Sequence, residues 1–322
     1  MRPPTIRDVA ARAGVSHQTV SRVINESPRV TEATRERVRA AIRELAFVPS
    51  PMARGLISNQ TRAIGVVADD VSDHFFACMV AGAEAEARRR GYYLMIASVE
   101  PDDDEGGYLR LMLERRVEGL ILARPSVPLR PRDLQADVPV VAVGAGEERG
   151  FTVVDVDNRQ GGYDATRHLL DHGHRRIATI AGPRGWPSAT ARLEGHRQAL
   201  READVAELVE HAFDWGLESG HTAAARLLER GADFTALFAH SDLIALGAIR
   251  RLREAGLRVP DDVSVVGFDD LPVADYVEPA LTTVHQPMRE LGALAAAVVL
   301  GADPGVRLLS AELVVRESVV RR

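Results

Sequence analysis

Three side chains near the amino terminus, His17, Gln18 and Arg22, have the types and spacing to read the edges of base pairs. An arginine can bridge O6 and N7 of guanine, a glutamine can satisfy adenine, and a histidine can serve as a variable reader. On a helix that turns Val20 inward, with Val23 or Ile24, all three point away from the apolar face. Around them Ser16, Thr19, Ser21, Asn25 and Thr31 offer short polar groups for phosphate oxygens, which fix position without reading sequence. Thr5, one helix earlier, joins this DNA-facing set.

The flanking sequence supplies the elements that must hold those groups. Thr5 can cap a first helix, with Asp8 as the acidic half of a capping box. Ile6, Val9, Ala10 and Ala13 recur at helical spacing, and Gly14 can take the left-handed conformation that stops the helix. Ser16 then caps a second helix, so residues 5–25 read as a helix-turn-helix. Thr31 caps a third helix through about Leu45, with Val38, Ala41, Ile42 and Leu45 buried. A linker from Val48 to Thr61 follows, where Ser50 and Pro51 could start a short, marginal helix.

Charge separates this head from the rest of the 322 residues. Residues 1–62 hold 11 arginines against five acidic residues, while the remainder holds 29 against 41, within a net charge of −6. A basic head on an acidic body suits phosphate binding at one end. Every basic residue is arginine, for which a GC-rich genome is the simpler cause. The one cysteine, Cys78, excludes an internal disulfide and fits a reducing compartment; its apolar neighbours suggest a buried, inert thiol. With no apolar signal core and no membrane-length apolar run, a cytoplasmic, nucleoid-associated protein is expected.

From Arg62 onward, apolar runs at Ala63–Val67, Tyr93–Ala97, Gly119–Leu122, Val138–Val143, Arg176–Ile180, Ala236–Ala239 and Val263–Gly267 read as strands. Helices at Phe75–Arg89, Gly161–Asp171, Ala191–Ala203, Glu218–Arg230 and Ser241–Glu254 alternate with most of them. About ten strands or more would exceed one open sheet, so two sheets split near Asp157 are expected. Ligands of such sheets bind at the carboxyl ends of the strands, in the cleft.

Several stretches carry a resemblance from end to end. They are Asp8-Val9-Ala10, Gly14-Val15-Ser16 and Thr19-Val20-Ser21-Arg22-Val23 in the head, then Ile64-Gly65-Val66 and Arg116-Val117-Glu118-Gly119-Leu120-Ile121. Further on come His172-Gly173-His174-Arg175-Arg176-Ile177, Ser241-Asp242, Val259 through Asp270, and Leu281-Thr282-Thr283-Val284. In these the chain resembles the lactose-repressor (LacI/GalR) family of bacterial transcription regulators. The resemblance implies a small all-α helix-turn-helix head plus an α/β core of two doubly wound parallel-sheet subdomains of periplasmic-binding-protein type. It divides the chain into a DNA-binding domain at 1–48, a hinge helix or linker at 49–61, and an effector-binding and dimerisation core at 62–322. The core in turn splits into an N-subdomain of about 62–157 and 286–310 and a C-subdomain of about 158–285 and 311–322.

The resemblance also carries roles, residue by residue. Leu56, with Ala53 beside it, stands where the family levers an apolar wedge into the minor groove of a palindromic operator bound by a dimer. Arg192 and Asp269 stand at the family's ligand arginine and aspartate, and Trp215 where an aromatic meets the ligand ring. Asp69, Asp70, Phe75, Ser241 and Gln286 complete the candidate effector set. Gly144 stands where some sugar-binding members have an aspartate, which weakens transfer of any particular sugar.

The function expected is a sequence-specific repressor of carbohydrate-utilisation genes, switched by a small sugar-like effector and needing no cofactor. A purine or nucleoside effector is the alternative. From a different class, a cytoplasmic solute-binding or sugar-modifying protein with a vestigial head remains open. No phosphate-loop or nucleophile-elbow spacing supports an enzyme. His168, His172 and His174 lack the Cys or carboxylate that would complete an obvious metal site.

Overall fold

The computed structural model describes residues 4–24, 26–47, 61–69, 73–99, 105–123, 137–144, 152–302 and 307–322. The chain falls into two compact units, Met1–Arg62 and Ala63–Arg322.

In the first unit, α1 (Ile6–Ala13), α2 (His17–Ile24) and α3 (Glu32–Glu44) close around Val9, Ala10, Ala13, Val20, Val23, Val38 and Ala41. The capping box of α1 is complete: the Asp8 amide donates to Thr5 Oγ1, and the Thr5 amide donates to Asp8 Oδ2 at 2.7 Å. Gly14 ends α1 at φ +64, where its amide and that of Val15 satisfy the last carbonyls of the helix. A Cβ there would meet nothing within 4 Å, so conformation and not space selects glycine. Arg12 and Glu44 pair at 2.6 Å between α1 and α3. Thr31 sits at the N-cap of α3, but its hydroxyl donates to Thr34 Oγ1 and makes no bond to the helix backbone. Its expected capping bond is thus replaced by a side-chain one.

The second unit contains two parallel sheets. Its first half runs β1 (Ala63–Ala68), α4 (His74–Arg89), β2 (Tyr93–Ser98), α5 (Glu105–Glu114), β3 (Gly119–Ala123), β4 (Val140–Val143) and β5 (Thr152–Val156). There follow α6 (Asn158–Asp171), β6 (Ile177–Ala181), α7 (Pro187–Glu202), β7 (Leu208–His211), α8 (Leu217–Glu229), β8 (Ala236–Ala239), α9 (Asp242–Glu254) and β9 (Ser264–Val266). The chain closes with β10 (Thr283–His285), α10 (Met288–Val299), β11 (Arg307–Leu309) and β12 (Glu312–Val314).

The larger sheet has the order β11-β5-β4-β3-β1-β2 and the smaller β7-β6-β8-β9; every pairing in both is parallel. β10 and β12 pair antiparallel with each other. The strands β5, β7, β10, β11 and β12 escape a reading of apolar runs. Polar or charged residues interrupt their apolar runs: Asp155 in β5, Glu210 in β7, His285 in β10, Arg307 in β11 and Glu312 in β12.

Three helix pairs meet through reciprocal glycines. A Cβ on Gly82 of α4 would fall 1.9 Å from the Arg289 carbonyl oxygen, and one on Gly292 of α10 falls 1.9 Å from that of Met79. Gly162 of α6 and Gly195 of α7 make the same close approach, as do Gly220 of α8 and Gly247 of α9. Backbone lies against backbone at each crossing, so any side chain there must push the helices apart. Gly195→Ala should therefore lower unfolding free energy by about 1–3 kcal/mol. A urea titration checks this, and an unchanged midpoint would contradict it.

Candidate functional sites

In the first unit, the inward turn of Val20 and Val23 leaves His17, Gln18 and Arg22 exposed on α2. These are the groups expected to read bases, and they share one accessible helix. Ser16 is exposed and its Oγ accepts the Thr19 amide at 3.2 Å, while its hydroxyl lies 3.0 Å from Thr19 Oγ1. Ser21 is half-buried. Asn25, Ala53 and Leu56 lie outside the described residues, as does Asp70.

In the second unit, a cavity of about 390 Å³ lies between the two sheets. Its walls come from segments that follow strand carboxyl ends: Trp186 after β6, Trp215 after β7, Ser241 after β8 and Asp269 after β9. Gly144 lines it from the end of β4, and Phe75 from the first turn of α4. Gln286 lines it from the segment between β10 and α10. Of the expected effector residues, Arg192, Asp269, Trp215, Phe75, Ser241 and Gln286 thus meet at one cavity. Asp69 is half-buried beyond β1 and does not line it.

Arg192 is the centre of that cavity wall. Its side chain is buried, yet its Nε donates to Asn158 Oδ1 at 2.9 Å and its Nη1 donates to the His240 carbonyl. Nη1 also lies 3.5 Å from Asp269 Oδ1. The guanidinium stacks 3.7 Å over the Phe268 ring and stands 5.4 Å from the Trp215 ring centroid. Burial lowers its pKa to about 10, against the opposing pull of Asp269 and Asp155, so it remains a cation at neutral pH.

Asp269 is placed by an unusual backbone. Its φ of +115° is one that L side chains rarely adopt, and its amide is tied to the Val284 carbonyl at 2.8 Å. Holding a non-glycine residue there costs about 1–3 kcal/mol. The result is a carboxylate presented to Arg192 and, at 2.6 Å, to the Gln286 side-chain amide. Burial raises this carboxyl, and Arg192 opposes the rise. The side-chain oxygen of Gln286, Oε1, is buried with no hydrogen-bond partner among the described residues.

Other groups escaped the reading of the sequence. Trp186 packs edge-to-face on Trp215, with centroids 5.6 Å apart. Asp155 within β5 and Asn158 just beyond it border the cavity; the mixed polarity of β5 hides the signal of polar residues at a strand end. His285 lines the cavity and bonds Asp270, which also holds Arg316 at 2.7 Å. Ser241 is the N-cap of α9: it accepts the Ile244 amide and donates to the Trp215 carbonyl. Cys78 is not fully buried as expected. The face of α4 that carries it borders the cavity, and its Sγ lies 3.5 Å from His74 Nε2, one turn away. His174 bonds Thr235 and the Val320 carbonyl, and the described residues contain no group of three ligands able to hold a metal ion.

The pattern of bacterial regulatory proteins of the lacI family matches residues 5–50, and that of a periplasmic binding protein-like domain matches 166–319. The chain belongs to the lacI family. It is 34% identical to the HTH-type transcriptional repressor CytR of Escherichia coli (strain K12), over 98% of this chain and 96% of that one. The lac repressor dimer solved with operator and the anti-inducer ONPF is 33% identical, with a TM-score of 0.93, covering 99% of this chain and 100% of that one. A CelR–cellobiose complex is 37% identical with a TM-score of 0.73, covering 98% and 99%. The chain is accordingly a DNA-binding transcriptional regulator and not an enzyme. No helix among the described residues is long and apolar enough to cross a membrane.

The cavity makes one electrostatic prediction. Burial lifts the Asp155 carboxyl to about 6, although the Val156 amide and Arg192 pull it down. A carboxyl whose folded pKa exceeds its ordinary value takes up its proton on folding, so stability falls as pH rises through that range. Asp155→Asn should raise unfolding free energy by about 3 kcal/mol near neutral pH. The gain should shrink steadily toward pH 4; urea titrations at both pH values test it, and a pH-independent difference would contradict the assignment.

Proposed function

We propose that the chain binds a palindromic operator as a homodimer and releases it when a small sugar-like effector occupies the cavity between the sheets. The observation that carries the effector half is the Gln286 Oε1 acceptor, buried, unpartnered and next to the Arg192–Asp269 pair at the cavity. A sugar hydroxyl both donates and accepts, so one hydroxyl can give its proton to Gln286 or Asp269 and take one from Arg192. The complex of CelR with cellobiose supports this reading.

For the DNA half, His17, Gln18 and Arg22 choose the half-site, and Thr5, Ser16, Thr19, Ser21, Asn25 and Thr31 hold phosphates. Ala53 and Leu56 form the apolar wedge at the operator centre. The operator-bound lac repressor dimer supports both the dimer and the palindrome. Phe75, Trp215 and Ser241 border the effector, with Asp69 and Asp70 beyond β1. Domain limits of 1–48, 49–61 and 62–322 serve these roles, and a cytoplasmic location follows from them.

Binding of a labelled palindromic duplex over a salt series, with and without a panel of sugars and nucleosides, tests the proposal. Affinity should fall steeply with salt, and one neutral sugar should weaken it. Arg22→Ala should lose about ten- to a hundredfold of specific affinity, a step of about 1–3 kcal/mol for a bidentate base contact. Non-specific affinity should change far less. Equal losses on specific and non-specific DNA would remove Arg22 from the reading role, and loss of palindrome preference in the wild type would end the proposal.

A further inference from the structure

The chain contains two tryptophans, and both line the cavity. Trp215 follows β7, and a Cβ on Gly182 would fall 2.4 Å from its ring, so only a residue without a side chain lets the ring sit there. Trp186 is set by different means. Gly185 at φ +87 turns the chain ahead of it, and Pro187 begins α7 directly after it. The two indole planes stand at 87° to each other, so the pair makes a corner and not a stack. Trp186 is only half-buried.

The cavity lining is acidic on balance, with Asp73, Asp155, Asp269, Asp270 and Glu290 against Arg192 and Arg289. Asp155, Asp269 and Asp270 face the cavity, while Arg192 is already engaged by Asn158, the His240 carbonyl and Asp269. An incoming phosphate or carboxylate would meet these carboxylates and would have to displace Asp269 from Arg192.

We propose that Trp186 is a specificity-determining residue: with Trp215 it forms an aromatic corner that takes the flat apolar face of one ring of an uncharged glycoside, and anionic sugars are rejected. This rests on the sugar reading given above. The aromatic faces select a ring, and the acidic wall selects neutrality.

The full chain tests it, because its intrinsic fluorescence arises at the cavity. Titration with neutral disaccharides such as maltose and cellobiose, with glucose 6-phosphate and with glucuronate, is followed by indole emission and by release of a labelled palindromic duplex. The expected result is a neutral disaccharide that shifts emission and releases the duplex, and no response to the two anionic sugars. Trp186→Ala should weaken that disaccharide about tenfold, and Trp186→Phe, which keeps a ring, should restore most of the loss. Far-UV circular dichroism confirms folding of each variant; the phenylalanine variant alone decides if the alanine variant is unfolded, with full loss of binding by a folded Trp186→Phe also contrary to the ring-face account. If the disaccharide releases the duplex from wild type and Trp186→Ala at the same concentration, the corner is overturned and the sugar reading stands. If an anionic sugar binds as tightly as the neutral one, the neutrality half is overturned. If only nucleosides release the duplex, the sugar reading fails and the glycoside assignment fails with it.

Discussion

A guanidinium that is almost fully removed from water must find its partners inside the protein, and the cavity is organised around that requirement at Arg192. Leaving such a charge unpaired would cost several kcal/mol. The partners come from well-separated parts of the chain: Asn158 at the start of α6, the His240 carbonyl at the end of β8, and Asp269 beyond β9. Asp269 in turn holds Gln286, which follows β10. The segments between β5 and α6 and between β10 and α10 are therefore both tied to one cation. A ligand that competes for Asp269 or Gln286 acts on those ties directly. This gives the cavity a physical means of altering how the two sheets are held together.

The fold makes that arrangement possible by bringing strand ends together. Parallel strands point their carboxyl ends to one side, and in the smaller sheet each of the four is followed by a segment that supplies a cavity residue. The reciprocal glycine crossings fix the helices that carry those segments. Gly162 and Gly195 bring α6 against α7, which places Asn158 and Arg192 on adjoining helices. Precision at the hydrogen bond thus begins with a missing side chain some distance along the same helices. Asp269 pays for its position with an unfavourable φ, which is intelligible only if the carboxylate must point where it does.

Much of this was legible in the residues alone. The capping box at Thr5 and Asp8, the stop at Gly14 and the apolar spacing of the head are local features, and local features survive translation into structure. The uninterrupted apolar strands β1, β3 and β8 announce themselves for the same reason. The strands of mixed polarity, β5, β7, β10, β11 and β12, do not, because pairing with neighbours far along the chain and not their own composition makes them strands. Arg192, Asp269, Trp215 and Gln286 came from resemblance to a family. Their mutual distances could not: nothing local in the chain places Asn158 against Arg192. Trp186 was missed because its partner, Trp215, lies 29 positions away in another turn. Cys78 misled because apolar neighbours in sequence are not the same as neighbours in space; one face of its helix borders the cavity.

On the proposed function, occupancy of the cavity and grip on DNA form one equilibrium. Coupling between two sites is reciprocal, so each ligand must change the other's affinity by the same factor. The direct measurement is the affinity of the chain for its effector sugar, by titration calorimetry, with and without saturating palindromic duplex. DNA should weaken sugar binding by the factor by which sugar weakens DNA binding. Identical sugar affinities in the two titrations would contradict it.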